Sequence, residues 1–189
     1  MSALQQKWDA IYRQQSDLPP EAATVVSRYS HLLPEQGKAL DLACGLGGNA
    51  FLLAQHGLQV DAWDISKEAI DNIKANTPSQ HHINAQTVDI HQVKFPEHHY
   101  DVITVSRFLD RAIIPDLINA LKPKGLIFYQ TFTLEKAYKA GPTNPDFLLK
   151  KAELLELFSA LTAVIYHEES CLGDTKIGIR NEALLVAQR

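Results

Sequence analysis

The run Lys38-Ala39-Leu40-Asp41-Leu42-Ala43-Cys44-Gly45-Leu46-Gly47-Gly48-Asn49-Ala50 constrains the fold more than any other part of this chain. A short apolar stretch carries a carboxylate at its end, turns through three glycines and enters a helical pattern. Glycine tolerates φ > 0 and lets the backbone pass close to a ligand. The helix that follows offers free N–H groups at its first turn. A second acid, Asp64, closes the next apolar run, residues 59–64. It stands about 20 residues further on, where a doubly wound sheet sets a carboxylate against ribose hydroxyls. A strand, a glycine turn, a helix and a second strand in this order predict a site for a nucleoside-bearing cofactor.

Asp41 separates two cofactor classes. Gly45-Leu46-Gly47-Gly48-Asn49-Ala50 also fits the G-x-G-x-x-[G/A] fingerprint of dinucleotide sites. A dinucleotide brings a pyrophosphate to this turn, and a carboxylate beneath it repels that dianion in a poorly screened site. S-adenosylmethionine brings no phosphate; it brings a sulfonium, an ammonium and a carboxylate. Asp41 suits the cationic end, directly or through water, and Asp64 suits the ribose.

ALDLACGLGGNAFLLAQHG, residues 39–57, followed by VDAWDIS, residues 60–66, resembles motif I and the acidic second-strand end of class I S-adenosylmethionine-dependent methyltransferases. Within that class the chain is most similar to small bacterial TehB-like (tellurite-resistance) methyltransferases, from Trp8 to the end. The resemblance implies an α/β fold: a Rossmann-like, doubly wound seven-stranded sheet, mostly parallel with the last strand antiparallel, and helices on both faces. It implies S-adenosylmethionine as cofactor, with contacts from Asp41, Gly45, Gly47, Asp64, Ile65, Asp89, Ile90 and Ser106. In that scheme Asp89 accepts from the adenine amino group, Ile90 touches the ring and Ile65 packs on its other side. Backbone at Ser106 and Arg107 passes close to the methionine moiety.

The alternation of patterns along the chain supports that fold independently. Residues 1–37 form an N-terminal helical cap or lid within the same domain, with Trp8, Ile11 and Tyr12 on one face and a break at Leu18-Pro19-Pro20. Residues 21–33 carry Val25, Val26, Tyr29, Leu32 and Leu33 in helical register. Residues 38–189 form the cofactor-binding core. Strands are expected at 38–42, 59–64, 83–88, 100–106, 126–131, 163–167 and 183–187. Helices are expected at 49–56, from an N-cap at Ser66 to Asn76, near 115–121, and at 150–161 with Leu154, Leu155, Phe158 and Leu161 inward. Lys122-Pro123-Lys124-Gly125 reads as a turn. The link between the last two strands has no room for a crossover helix, so one of them runs antiparallel.

Composition narrows the function classes. The net charge of −4 and the lack of a Lys/Arg cluster disfavour a polyanion partner. Two cysteines, Cys44 and Cys171, make neither a disulfide framework nor a zinc site. Of the eight histidines, His81, His82, His91, His98 and His99 crowd the region around the third strand without metal-ligand spacing, so no metal is expected. Met1 to Arg13 is polar, which predicts no secretory signal, and no apolar run reaches spanning length. A cytoplasmic setting is the expectation, with no nucleic-acid and no membrane partner and the oligomeric state left open.

For the methyl acceptor the sequence offers two segments. Arg107-Phe108-Leu109-Asp110-Arg111 follows the buried fourth strand. Arg107 or Arg111 orients an anionic acceptor or the cofactor carboxylate; Asp110 acts as a base or caps a helix. The Asn/Asp-Pro-Pro-aromatic box typical of adenine and amide-nitrogen methylation is absent there. The loop after the fifth strand brings Tyr138 and Phe147 as a substrate wall, with Trp8 and Tyr12 as a lid over it. These residues predict methyl transfer to a small-molecule acceptor, a soft thiol, selenium or tellurium species needing no strong base. Two other classes stay open: a cofactor-binding partner or sensing subunit without catalysis, and an NAD(P)-dependent oxidoreductase.

Overall fold

A computed structural model describes residues 2–15 and 20–189. Of the break expected at Leu18-Pro19-Pro20, Leu18 and Pro19 lie outside the described residues. The strands are β1 (Gly37–Leu42), β2 (Leu58–Asp64), β3 (Ile83–Thr87), β4 (Tyr100–Ser106), β5 (Leu121–Phe132), β6 (Thr162–His167) and β7 (Glu182–Gln188). They form one seven-stranded sheet in the order β3-β2-β1-β4-β5-β7-β6. The first five are parallel, and β7 runs antiparallel between β5 and β6. The helices are α1 (Ala3–Gln15), α2 (Thr24–Arg28), α3 (Gly48–Gln55), α4 (Lys67–Asn76), α5 (Ile114–Ala120) and α6 (Glu153–Leu157).

Both faces of the sheet are covered, which is why its central strands are apolar throughout. Alternate residues point to opposite sides. Leu40, Leu42, Ile103, Val105, Ile127 and Tyr129 pack with Leu117 of α5 and Leu154 of α6. Ala39, Val102, Phe128 and Val186 pack on the other face with Val25 of α2, Leu53 of α3 and Ile73 of α4. The strand order reverses between β1 and β4, so a crevice opens at their carboxyl ends. No helix among the described residues is long and apolar enough to cross a membrane.

Three expected elements take another form. Residues 21–33 make only the five-residue α2 and a 3-10 turn at Ser30–Leu32, because no side chain caps α2 and Tyr29 leaves helical geometry at φ −112°. The expected turn at Lys122–Gly125 lies inside β5 as a bulge. Pairing jumps from Tyr100↔Leu121 to Val102↔Leu126, Lys124 sits at φ +68°, and its amide donates to Arg189 O at 3.0 Å. The helix expected at 150–161 shrinks to α6. Ala152 is left-handed at φ +61°, the Glu153 carboxylate takes the Lys150 amide at 2.7 Å, and Leu155 faces solvent at 38% exposure.

Helix α1 is pinned to the start of α4. The buried Asp9 accepts from Ser66 Oγ at 2.6 Å and from the Glu68 amide at 3.2 Å, while Arg13 pairs with Glu68. Burial alone would raise the Asp9 carboxyl; the Ser66 hydroxyl and the amides of Glu68 and Lys67 hold it below its ordinary value. The Ser66 hydroxyl also accepts from the Ala69 amide at 3.2 Å, the cap its sequence position predicts.

Candidate cofactor and acceptor site

A cavity of about 800 Å³ opens at the carboxyl ends of β1, β2, β3 and β4 under α1. A shallower one of about 520 Å³ lies at the opposite rim, lined by Lys38, Gln59, His81 and His82 at the amino ends of the strands. Ligands of open α/β sheets bind at carboxyl ends, and the glycine turn lines the larger cavity.

Asp41 and Asp64 have different surroundings. Asp41 is fully buried beneath the turn and is not part of the cavity wall. Its Oδ1 accepts from Thr104 Oγ1 at 2.8 Å and Asn49 Nδ2 at 3.2 Å, and its Oδ2 from the Ala50 amide at 3.0 Å. Burial pushes its carboxyl up to about 7 against the pull of those donors. Between Asp41 and the cavity stands Asn49, a residue the sequence reading did not single out. Asn49 lines the cavity; its Nδ2 also reaches Ser106 Oγ at 3.0 Å, and its Oδ1 accepts from the Ala23 amide at 2.8 Å. Asp64 does line the cavity. Its Oδ2 accepts from the Gly45 amide at 2.9 Å and its Oδ1 from the Ser66 amide at 2.8 Å. Burial raises its carboxyl, and the Ser66, Gly45 and Ile65 amides draw it back. Each carboxylate oxygen has a second lone pair for a hydroxyl.

The glycines divide likewise. Gly45 lines the cavity at φ +52°, and a Cβ there would stand 3.0 Å from the Tyr12 hydroxyl. Gly47, at φ +88°, packs beneath the turn: its Cβ would fall 2.8 Å from Ile73 Cγ1. Ile65, Asp89, Ile90 and Ser106 all lie on the wall, joined by Cys44, Leu46, Val88, Phe108 and Leu109. Asp89 folds back on its own loop, taking the His91 amide at 3.1 Å and Gln92 Nε2 at 2.7 Å. Trp8 and Tyr12 stack at 5.7 Å between centroids and close one side, together with Leu4, Lys7 and Ile11. Burial, then the neighbouring Asp64, Cys44 and Asp41, raise the Tyr12 phenol far above its ordinary range.

The candidate acceptor residues separate. Arg107 and Phe147 reach the cavity, with Phe132 and Pro142 beside them. Asp110 also lines it but accepts from the Ala112 amide at 2.9 Å as the cap of the Arg111–Ile113 turn, and faces His91 Nε2 at 3.2 Å. Arg111 and Tyr138 stand away from the wall. Arg111 braces the long loop, donating to Glu153 Oε1 at 2.7 Å, Glu153 Oε2 at 2.9 Å, Asp146 O at 2.7 Å and Leu148 O at 3.0 Å. Tyr138 is 56% exposed, and its carbonyl accepts from Asn181 Nδ2 at 2.8 Å. Among the described residues no group of three His, Cys, Asp or Glu side chains is placed to hold a metal ion.

A nucleoside with an amino-acid tail fits this surface. Asp64 offers acceptors for vicinal hydroxyls, Ile65, Ile90 and Leu109 offer apolar walls for a ring, and Gly45 admits the chain beside Tyr12. Among the described residues, Lys7, His91 and Arg107 reach the wall from three separate segments.

Comparisons agree with this geometry. The profile of a family described as "Tellurite resistance protein TehB" matches residues 4–175. A ubiquinone biosynthesis O-methyltransferase of Yersinia pestis is 26% identical over 137 residues, covering 65% of this chain and 56% of its own. The chain spans about half the length of the curated relatives it matches. Among solved structures, TehB from Haemophilus influenzae superposes with a TM-score of 0.71 at 20% identity, over 96% of this chain and 67% of the other. An S-adenosylmethionine-dependent methyltransferase from Mesorhizobium loti gives 0.67 at 18% identity, over 89% and 99%. At these identities the structural matches establish the shared fold.

Proposed function

The chain belongs to the TehB family, and on that premise we propose that it binds S-adenosylmethionine in the crevice between β1 and β4 and transfers its methyl group to a small-molecule acceptor. The observation that carries the reading is the Asp64 carboxylate, fixed by the Gly45 and Ser66 amides at the mouth of a cavity that the glycine turn borders. Held there, the cofactor would supply a sulfonium-activated methyl group for an acceptor's lone pair, the carbon–sulfur electron pair staying with sulfur as S-adenosylhomocysteine.

The chain's part is placement and shielding. Asp64 takes the ribose hydroxyls, and Ile65 and Ile90 sandwich the adenine, with Asp89 at its amino edge. Asp41 acts through Asn49, which sets the Ser106 hydroxyl. Trp8 and Tyr12 cover the cofactor side, and Arg107 and Phe147 face the acceptor. Asp110 is engaged by the Ala112 amide and faces His91, which also lines the cavity. A soft nucleophile such as a thiolate, selenium or tellurium species would need no base beyond that pair. A net charge of −4 favours a small acceptor over nucleic acid.

Calorimetry tests the cofactor and chromatography of S-adenosylhomocysteine tests turnover. Binding of S-adenosylmethionine with no binding of NADH is expected; the reverse would make the chain an oxidoreductase. Binding without turnover over a broad acceptor panel would favour a sensing or partner subunit.

A further inference from the structure

We propose that Glu182 positions Arg107 to hold the carboxylate of an organic methyl acceptor whose nucleophilic atom lies elsewhere on its apolar body; this rests on the methyl-transfer reading above. Arg107 is the first residue beyond β4 and sits in left-handed backbone at φ +54°. A non-glycine residue held there is strained and persists only where its surroundings enforce it. They do so twice. The Arg107 amide donates to the Gln130 carbonyl at 2.7 Å, and its Nε donates to Glu182 Oε1 at 3.3 Å. Glu182 is itself fixed, because its other oxygen takes the Gln130 side-chain amide. Gln130 is buried, and its Oε1 accepts from the Val25 amide at 2.7 Å.

The consequence lies in which edge of the guanidinium is used. Glu182, with its side chain 12% exposed, holds Nε. Among the described residues no protein acceptor is bonded to either Nη, and the Arg107 side chain is 67% exposed at the cavity wall. A guanidinium gripped by Nε presents its Nη pair as a planar fork, the geometry that matches a carboxylate by two parallel hydrogen bonds. The neighbouring wall is apolar: Phe132, Pro142 and Phe147. An inorganic oxyanion has nothing to place against those rings, whereas an organic acid buries its body there.

The test uses the full chain saturated with S-adenosylhomocysteine and three calorimetric probes: benzoate, its neutral counterpart benzamide, and selenite. Benzoate is expected to bind at least about tenfold tighter than benzamide, the scale of one charge-assisted pair. Arg107→Ala should abolish that preference, and Arg107→Lys, which keeps the charge but not the fork, should restore only part of it. Glu182→Ala and Glu182→Asp should weaken benzoate several-fold, while Glu182→Gln, which retains an acceptor for Nε, should keep most of the affinity. A carboxylate that merely neutralised Arg107 would give the opposite sign, with benzoate binding tighter to both the Ala and Gln variants. Equal binding of benzoate and benzamide, or no binding of either, overturns the inference. So does selenite binding tighter than benzoate, or Arg107→Ala weakening S-adenosylhomocysteine in place of benzoate, since Arg107 would then hold the cofactor's carboxylate. Failure to bind S-adenosylhomocysteine at all sinks the cofactor reading beneath it, a separately visible result.

Discussion

The two walls of the cavity are built from contacts of different reach. On the cofactor wall most of the hydrogen bonds at the turn are short in sequence: Asp41 reaches Asn49 and Ala50 across 8 and 9 positions, and Gly45 reaches Asp64 across 19, while Thr104 reaches Asp41 across 63 and Asn49 reaches Ser106 across 57. On the acceptor wall they are long. Arg111 meets Glu153 across 42 positions, Arg107 meets Glu182 across 75, and Val25 meets Gln130 across 105. The cofactor wall centres on one strand–turn–helix–strand unit, which β4 braces through Thr104 and Ser106. The acceptor wall exists only once β5 and β7 are paired and the loop between 133 and 152 is laid down. Changes on the first wall should therefore act on stability and cofactor together, and changes on the second on the acceptor while sparing the cofactor.

Asp41 gives the largest expected break. Asp41→Ala strips the acceptor from Thr104, Asn49 and Ala50; the Ala50 amide is orphaned, while Thr104 Oγ1 keeps Leu40 O at 3.4 Å and Asn49 Nδ2, at the cavity wall, keeps Ser106 Oγ at 3.0 Å. A buried orphan costs about 1–3 kcal/mol and the two weakened donors add to it, so urea unfolding should register a loss of about 2–4 kcal/mol. A change under 1 kcal/mol would mean that water already reaches the pocket beneath the turn. The same residue predicts a sign in pH. Its folded carboxyl lies near 7, above the ordinary 3.8. It binds its proton more readily folded than unfolded, so its contribution is fully present below about pH 4 and is lost as pH rises toward 7. Asp9 is held below its ordinary value and contributes the other way, its stabilisation being lost as pH falls through the folded pKa. Subtracting the melting profile of Asp41→Asn from that of the native chain should leave a component that declines between pH 4 and 7; a rising one contradicts the assignment.

Asp64 comes next and sharpens the contrast between the two acids. Asp64→Ala should weaken S-adenosylhomocysteine by about 1–3 kcal/mol, the cost of removing a buried hydrogen-bond partner. It should lower stability less than Asp41→Ala, since Asp64 stands at the cavity and the amides it frees can take water. Unchanged affinity would detach Asp64 from the ribose.

This division also explains what was legible beforehand. The sheet, its reversed last strand and the glycine turn were written in local patterns: apolar runs, punctuating glycines and an acid at each strand end. Asn49 carried a weaker signal, a polar side chain one turn into an apolar helix, and its role needed Ser106 and Ala23 brought beside it. Gln130 and Glu182 carried none, because nothing in QTF or NEA tells that they will meet. Residues 150–161 misled for the same reason: the leucine spacing is helical, but Arg111 and Lys150 both claim Glu153 and hold the chain in a loop up to that residue. Asp41 was found by its position, but its hydrogen bond from Thr104 on the neighbouring strand has no signature in the sequence.

Arg111 probes the acceptor wall without touching its lining. Arg111→Ala removes the donors to Asp146 O, Leu148 O and Glu153 that tie the loop down. A destabilisation of about 2 kcal/mol is expected, the scale of a few hydrogen bonds to a charged group, discounted because the side chain is 37% exposed. S-adenosylhomocysteine affinity should stay within about twofold, while methyl transfer to an active acceptor slows as Phe147 loses its support. Loss of cofactor affinity equal to the loss of turnover would erase the proposed separation of the walls.

The smallest effect tests whether the lid belongs to the cofactor wall. Helix α1 covers the cavity with Trp8 and Tyr12, yet its polar anchor is at the start of α4, through Asp9 to Ser66 Oγ and the Glu68 amide. Asp9→Ala removes what is in effect a second N-cap for α4, worth about 1 kcal/mol. Ser66 still caps through the Ala69 amide, so α4 should persist and the global loss should sit at the low end of that range. What should change is the lid. With its anchor gone, α1 opens more often, and a lid that opens more often releases ligand faster. Stopped-flow displacement of S-adenosylhomocysteine should show a several-fold faster off-rate for Asp9→Ala, with an association rate near that of the native chain. Equal off-rates would mean that Trp8 and Tyr12 grip through their own packing, and that the lid is held by the cavity it covers and not by α4.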